Sequence, residues 1–404
     1  MKLHEANIDK FKIYGPILKE EYEWRKPVVH LIRPEDFESV FRSQGVYPNR
    51  PINEFVCHYR SKNKDKYANV GISNQLGEEW FKQRQLYAPT LLKLGALDIY
   101  LPQLNEITND LINYINQIGF DKNDDCLIIK DLQSTTYRLS LESICMLCLD
   151  SRMGLLNDNL ETDNNEINDG FKLIKSTKNL FEAYQQLYYS PPLWKLFETE
   201  AYIKYKNAED AIYQIADKYV ELALNKLKSG YDSNSTSYSL LKTLLSLKDV
   251  DERDVRTLIL DFISGGINTV SNSLSFIILH LANNRDVQIK LFEEIKSVLN
   301  SNDEQITAQH LNKMNYLKAC IKESFRLNST IPCLVRILPE EIILNNYRIP
   351  KNTTIFSHFF ATCRSDKYFD KPLEYKPERW LGKDRQKINP FSLLPFGFGK
   401  LIFI

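Results

Sequence analysis

A mainly α-helical fold with a small β region is predicted by three observations. From about residue 77 to 300, apolar residues recur three and four apart, the repeat of helices that bury one face. Residues 332–360 break instead into short strand-like runs (CLVRIL, EEIILNNYRIP, TIFSHFF) separated by polar or proline turns. Glycine is scarce, 14 in 404 residues, which disfavours glycine-rich nucleotide folds and leans toward helix.

Taken in order, residues 26–32 (KPVVHLI) read as a strand, and Arg33-Pro34-Glu35-Asp36 starts a helix. Proline suits a first helical turn, and acids favour a helix N-terminus. Residues 43–75 read as polar and irregular. Two breaks in the helical body, 157–170 (NDNLETDNNEINDG) and 229–239 (SGYDSNSTSYS), read as loops. Neither resembles a long flexible linker, so residues 1–404 are expected to form one domain. A helix is expected at about 315–328, followed by the strand-like runs and an aperiodic tail rich in proline, glycine and aromatics. No run of 18 apolar residues is present, so no spanning helix is expected. The first residues lack the apolar core of a signal peptide, and the chain reads as soluble.

Lysine plus arginine (52) equals aspartate plus glutamate (52), which argues against a general nucleic-acid binder. The seven cysteines, at 57, 126, 145, 148, 320, 333 and 363, are odd in number and scattered, a poor disulfide framework. Cys145 and Cys148 form a lone CxxC in an apolar stretch, which reads as two buried core thiols.

Four constellations could carry chemistry. Glu323-Ser-Phe-Arg326 places a carboxylate and a guanidinium on one helix face; taken alone it is a commonplace exposed pair. The helix from about Asp254 to Leu281 is apolar nearly all round and should be buried, yet carries Gly265-Gly266-Ile267-Asn268-Thr269. Each interior glycine costs about 1 kcal/mol relative to alanine, so something must pass close to the backbone, a flat cofactor or another helix. Trp80 and Arg84, four apart, suit an acidic group or a surface cation–π pair. Lys376-Pro-Glu-Arg379-Trp380 is a proline-led turn with paired charges.

That order of motifs, from Lys12-Ile-Tyr-Gly-Pro16 to Pro395-Phe-Gly-Phe-Gly-Lys400, resembles the cytochrome P450 haem-thiolate monooxygenases over nearly the whole chain. The resemblance implies haem b as cofactor, O2 as oxidant and a small apolar substrate (a sterol, secosteroid or xenobiotic). It implies that Glu323 and Arg326 join Arg379 in a buried ion-pair network behind the haem. Trp80, Arg84 and Arg336 would hold the haem propionates, with Phe396 and Gly399 in the loop beside it. Gly265, Gly266, Asn268 and Thr269 would form the oxygen-activation groove, with Thr269 hydrogen-bonding dioxygen. The family usually carries an acid before that threonine; Asn268 cannot readily ionise. Residues 50–75 and the faces around Phe262, Gly265 and Leu334 would line the substrate pocket.

Two stretches resemble the animal mitochondrial branch: Leu141-Glu-Ser-Ile144 with Leu149-Asp-Ser-Arg152-Met-Gly154, and Leu317-Lys318-Ala-Cys-Ile-Lys322-Glu323. The branch implies a mitochondrial inner-membrane location on the matrix side. It also implies that Lys318 and Lys322 dock a ferredoxin of the adrenodoxin type, itself served by its reductase. The family signature Phe-x-x-Gly-x-Arg-x-Cys-x-Gly is followed from Phe396 to Lys400; Leu401 then replaces the arginine and Phe403 stands at the cysteine. A phenyl ring cannot ligate iron, so no metal ligand is found and the chain is expected to be cut before the ligand loop. The rival expectation to an enzyme is therefore a non-catalytic product that cannot bind haem through a thiolate.

Overall fold

The structure, a computed structural model, describes residues 3–22, 25–91, 98–121, 126–156, 168–228, 239–248, 250–301 and 304–401. It begins with α1 (Leu3–Tyr14), β1 (Ile17–Tyr22), β2 (Arg25–Leu31), α2 (Pro34–Arg42), α3 (Glu54–Lys62) and α4 (Gly77–Leu91). The helical body continues through α5 (Leu101–Ile118), the ribbon β3 (Phe120–Asp121) and β4 (Cys126–Leu127), α6 (Leu132–Leu149), α7 (Asp169–Tyr189) and α8 (Glu200–Lys228). Next come α9 (Leu240–Leu245), α10 (Glu252–Asn283), α11 (Arg285–Val298), α12 (Ala308–Lys313) and α13 (Asn315–Leu327). The tail holds β5 (Leu334–Ile337), β6 (Ile342–Leu344), β7 (Tyr347–Ile349), β8 (Thr354–Ser357), α14 (Phe359–Thr362) and 3-10 turns.

The expected division stands: helices dominate, and each strand-like run of 332–360 holds a strand, although EEIILNNYRIP splits into β6 and β7 and the last two residues of TIFSHFF open α14. The main sheet is ordered β1-β2-β8-β5, with β2 and β8 parallel and the other neighbours antiparallel. Caps set several helix starts. Asp131 accepts from Ser134 N, Asp251 from Arg253 N, and Pro34 opens α2 as expected. The loops expected at 157–170 and 229–239 lie outside the described residues except at their edges, where Asn168 caps α7 and Ser239 caps α9.

Three expectations need correction. Residues 43–75 are not wholly irregular: Phe55, Val56, Tyr59 and Arg60 make one buried stripe on α3. The stripe escapes a hydrophobicity reading because one of its members is an arginine. Helix α10 is buried mainly in its first half, from Val255 to Ile267 and at Ser271, while Val270, Ile278 and Leu279 are exposed. By length and composition α10 is also apolar enough to cross a membrane. Its packing against α6, α8, α9, α11 and α13 makes it the central helix of the body.

Glu142 explains the first branch-like stretch. Fully buried on α6, its carboxylate accepts from Arg152 Nε (2.7 Å), Met153 N (3.2 Å) and Leu155 N (2.6 Å), fixing the turn that leaves the helix.

Under α1, His30 and His358 stack with ring centroids 5.0 Å apart, and Nδ1 of His30 lies 2.8 Å from Nε2 of His358. Glu20 Oε2 sits 3.2 Å from His30 Nε2, Lys10 of α1 meets Glu20, and Phe11 packs edge-on against His358. Burial pushes His358 down to about 3, and burial likewise lowers His30. A depressed imidazole stays neutral in the folded chain while the unfolded chain takes up the proton. Its contribution is complete above the unfolded pKa, about 6.5, and is lost as pH falls toward 3. The thermal midpoint should drop through that window, and His358→Gln should flatten the drop. Identical pH profiles for the two chains would contradict this.

Candidate functional site

Helix α13 puts Glu323 and Arg326 three residues apart, and both side chains are fully buried. The reading as an exposed pair is overturned. Arg326 Nε and Nη2 donate to the two oxygens of Glu323 at 2.9 Å each, a parallel fork. Its remaining donors reach the carbonyls of Cys363 and Pro372 (2.6 Å each) and Glu374 (3.0 Å). Arg379 Nε donates to Glu323 Oε1 at 2.8 Å, and the network has members the motif does not announce. Trp380 Nε1 donates to Oε2 (2.8 Å) and the Lys376 amide to Oε1 (3.0 Å). Arg326 thus holds the carbonyls of 363–374 and the Glu323 carboxylate holds 376–380, so the pair ties that segment to α13.

The second cluster is cationic. Trp80 and Arg84 on α4 are both buried, which overturns the surface-pair alternative. The Trp80 indole N–H is buried without a hydrogen-bond partner among the described residues. Arg336 of β5 donates to the Val335 carbonyl (2.8 Å) and lies 5.0 Å over the Phe41 ring. Burial pulls it down to about 10, and the charge of Arg50 pushes the same way. Burial also lowers Arg84 and Arg50, and Arg50 feels the repulsion of Arg84 against the attraction of Asp261.

Arg50 was not singled out in the sequence. It holds the carbonyls of Ile72 (3.1 Å) and Ser73 (2.8 Å), and nothing in its polar surroundings marks it. Guanidinium groups converging under partial burial repel one another, which favours an anionic group near them. Gly399 (φ +73°) shares a surface groove with Arg336, and a Cβ built there meets open space; the half-exposed Phe396 packs edge-on to Phe325 at 5.5 Å. An unpartnered indole N–H, buried cations and exposed rings suit a flat apolar group with an acidic edge.

The two glycines of α10 divide the alternatives between them. A Cβ at Gly266 would lie 2.9 Å from Ile144 of α6, so Gly266 serves helix packing. At Gly265 a Cβ meets nothing within 4 Å, so that face is an open groove. Thr269 Oγ1 donates to the Gly265 carbonyl (2.6 Å), leaving its lone pairs able to accept from a molecule in the groove. Asn268 sits half-buried beside it, and Ser273 Oγ donates to the Thr269 carbonyl at 2.7 Å.

A metal donor is harder to find. Burial pushes Cys148, Cys320 and Cys363 up to about 12 and Cys333 to about 11, so these are neutral thiols. Among the described residues no three His, Cys, Asp or Glu side chains form a metal cluster. Leu401 is buried; Phe403 lies outside the described residues.

On the surface, Lys318 and Lys322 line a groove with Trp380 and Arg385. Lys318 Nζ donates to the Asn312 carbonyl (2.9 Å), and Lys322 Nζ lies 6.0 Å from the Trp380 ring. Partial burial, then the charge of Arg385, lowers Lys322. Arg385 is the third cation of this face, and no sequence signal connects it to the lysines.

A family model described as "Cytochrome P450" matches residues 1–402. The chain is 31% identical over 99% of its length to "Ecdysone 20-monooxygenase" of Drosophila melanogaster, spanning 74% of that protein. It is 30% identical over 96% of its length to "Probable cytochrome P450 12b2, mitochondrial" of Drosophila melanogaster, spanning 72% of that protein. It is likewise 30% identical over 97% of its length to "Probable cytochrome P450 CYP44" of Caenorhabditis elegans, spanning 75% of it.

Proposed function

The chain belongs to the cytochrome P450 family, and from that premise we propose a mitochondrial-type monooxygenase that takes electrons from a ferredoxin and oxygenates a sterol-shaped substrate. The observation that carries the reading is the cluster of buried guanidinium groups of Arg50, Arg84 and Arg336, with the buried, unpartnered indole of Trp80 one turn from Arg84 on α4. Haem b, the cofactor of this family, supplies the activation of dioxygen when bound. Trp80, Arg84, Arg336 and Arg50 suit its two carboxylates, and Phe396 with Gly399 its flat face. The chain's own work is then to bind, orient and keep water out. Gly265 leaves room for the substrate against α10, and the apolar face around Phe262 and Leu334 excludes water. Thr269 accepts or, by releasing the Gly265 carbonyl, donates a hydrogen bond there. Asn268 orients water without ionising. A relative named for ecdysone favours a steroid frame among the apolar substrates.

Location follows from relatives named as mitochondrial, and the inner-membrane part has support in one surface feature. At the end of α7 and in the turn to α8, Tyr189, Leu193, Leu196 and Phe197 are exposed, Leu196 to 82%, an apolar tip suited to a bilayer.

For the ferredoxin, Lys318→Glu with Lys322→Glu should weaken binding of an adrenodoxin-type ferredoxin about tenfold or more and flatten its salt dependence. Unchanged affinity and salt slope would remove the ferredoxin from this reading. A second reading, a chain without thiolate ligation, is favoured by Phe403 at the signature position. It requires that the reduced, haem-loaded chain with carbon monoxide lack the thiolate-type Soret shift; the presence of that shift would overturn it.

A further inference from the structure

We propose that Arg60 is a positioning residue that clamps the strap of residues 63–75 onto α8 and α10, making the strap a fixed wall of the groove at Gly265. The inference rests on that groove being the substrate chamber. Arg60 lies near the end of α3 with a side chain 1% exposed, and all three of its nitrogens are engaged. Nε donates to Glu209 Oε1 of α8 (2.8 Å), Nη2 to Asp261 Oδ1 of α10 (2.7 Å) and Nη1 to the Val70 carbonyl of the strap (3.0 Å). The Tyr67 ring covers the guanidinium at 5.4 Å.

The strap lies directly on this group. Gly71 has φ +84°, and a Cβ there would collide with Arg60 Nη1 and fall 2.8 Å from Asp261 Oδ2. Ser73 Oγ donates to that same Oδ2 at 2.8 Å, so Asp261 holds Arg60 with one oxygen and the strap with the other. Lys66 of the strap reaches Asp210 of α8 at 2.7 Å. Asp261 precedes Gly265 by four residues, one helical turn on the same face, so the strap is fastened at the lip of the open groove.

Stability alone would be served as well by apolar residues, because burying ions is costly unless they are paired. What a forked guanidinium adds is geometry: three directions fixed at once, which lysine cannot reproduce. Arg60 meets two carboxylates, Asp261 also attracts Arg50, and burial pushes the Glu209 carboxyl above its ordinary range against the pull of Arg60. Arg60 meets Glu209 through the single oxygen Oε1, which an amide oxygen can replace as acceptor. Glu209→Gln is therefore the conservative change that should preserve the clamp.

The test is hydrogen–deuterium exchange of the full chain with equilibrium titration of dehydroergosterol, a fluorescent sterol. In the native chain, peptides from 63–75 should exchange slowly. Arg60→Lys and Gly71→Ala should each speed that exchange by at least about tenfold, leave α5 and α11 unchanged and weaken sterol binding. Glu209→Gln should behave like the native chain in both measurements, which a role in mere charge neutralisation would not allow. Gly71→Ala keeps every charge in place and carries the test if Arg60→Lys fails to fold. A native strap exchanging as fast as exposed loops overturns the clamp. A loosened strap with unchanged sterol affinity overturns the wall. A protected strap on a native chain that binds no sterol overturns the chamber reading and the wall with it.

Discussion

Replacing Glu323 by alanine is expected to cost about 3–5 kcal/mol, a large share of the roughly 5–15 kcal/mol that holds an ordinary domain folded, because it strands two buried cations. Arg326 is wholly buried and Arg379 nearly so, and Glu323 is the carboxylate that both of them share. The carbonyls that also receive Arg326 offer only partial charges, so they cannot replace it. The loss also frees Trp380 Nε1 and the Lys376 amide, and with them the path of the tail across α13. Glu323→Gln should recover only part of the loss, since an amide oxygen cannot accept the two-pronged fork. Urea unfolding monitored by circular dichroism reads both variants. A shift of less than about 1 kcal/mol in either would mean that the pairing is ornamental, as for an exposed bridge.

Arg336→Met should act with opposite sign in the absence and presence of haem. Without haem, Arg336 is held below its ordinary range by burial and by Arg50, so removing it relieves a cost, and the chain should gain about 1–2 kcal/mol. With haem, a charge-assisted contact of about 1.5–3 kcal/mol is lost, and affinity should fall roughly 10- to 100-fold. Methionine can still cover the Phe41 ring that the guanidinium overlies, so packing changes little. Thermal melts of the two states separate the effects. A loss of stability in both would mark Arg336 as an ordinary structural residue.

Periodicity carries the helical body well: α10 runs from Glu252 to Asn283 where Asp254 to Leu281 was expected, and α13 ends within a residue of its expected limit. Burial of charge is what a single sequence conceals. Glu323-x-x-Arg326 announces a shared helix face, but the carbonyls and Arg379 that make burial tolerable come from 363–380, far along the chain. Arg50 and Arg60 sit in a run that reads as polar and irregular. Their partners are carbonyls of the strap and carboxylates on α8 and α10, about 150 to 200 residues away. The paired glycines were legible as a close approach, but only packing separates Gly266, pressed on Ile144, from Gly265, open to the groove.

In the proposed function, Trp80, Arg84, Arg336 and Arg50 form a cradle for the acidic edge of haem. Optical titration of the chain with haem and with haem dimethyl ester, whose carboxylates are masked, tests it most directly. The cradle predicts that the native chain binds haem at least about tenfold more tightly than the ester, and that Arg336→Met with Trp80→Phe removes most of that preference. Equal affinity of the native chain for the two porphyrins would contradict it.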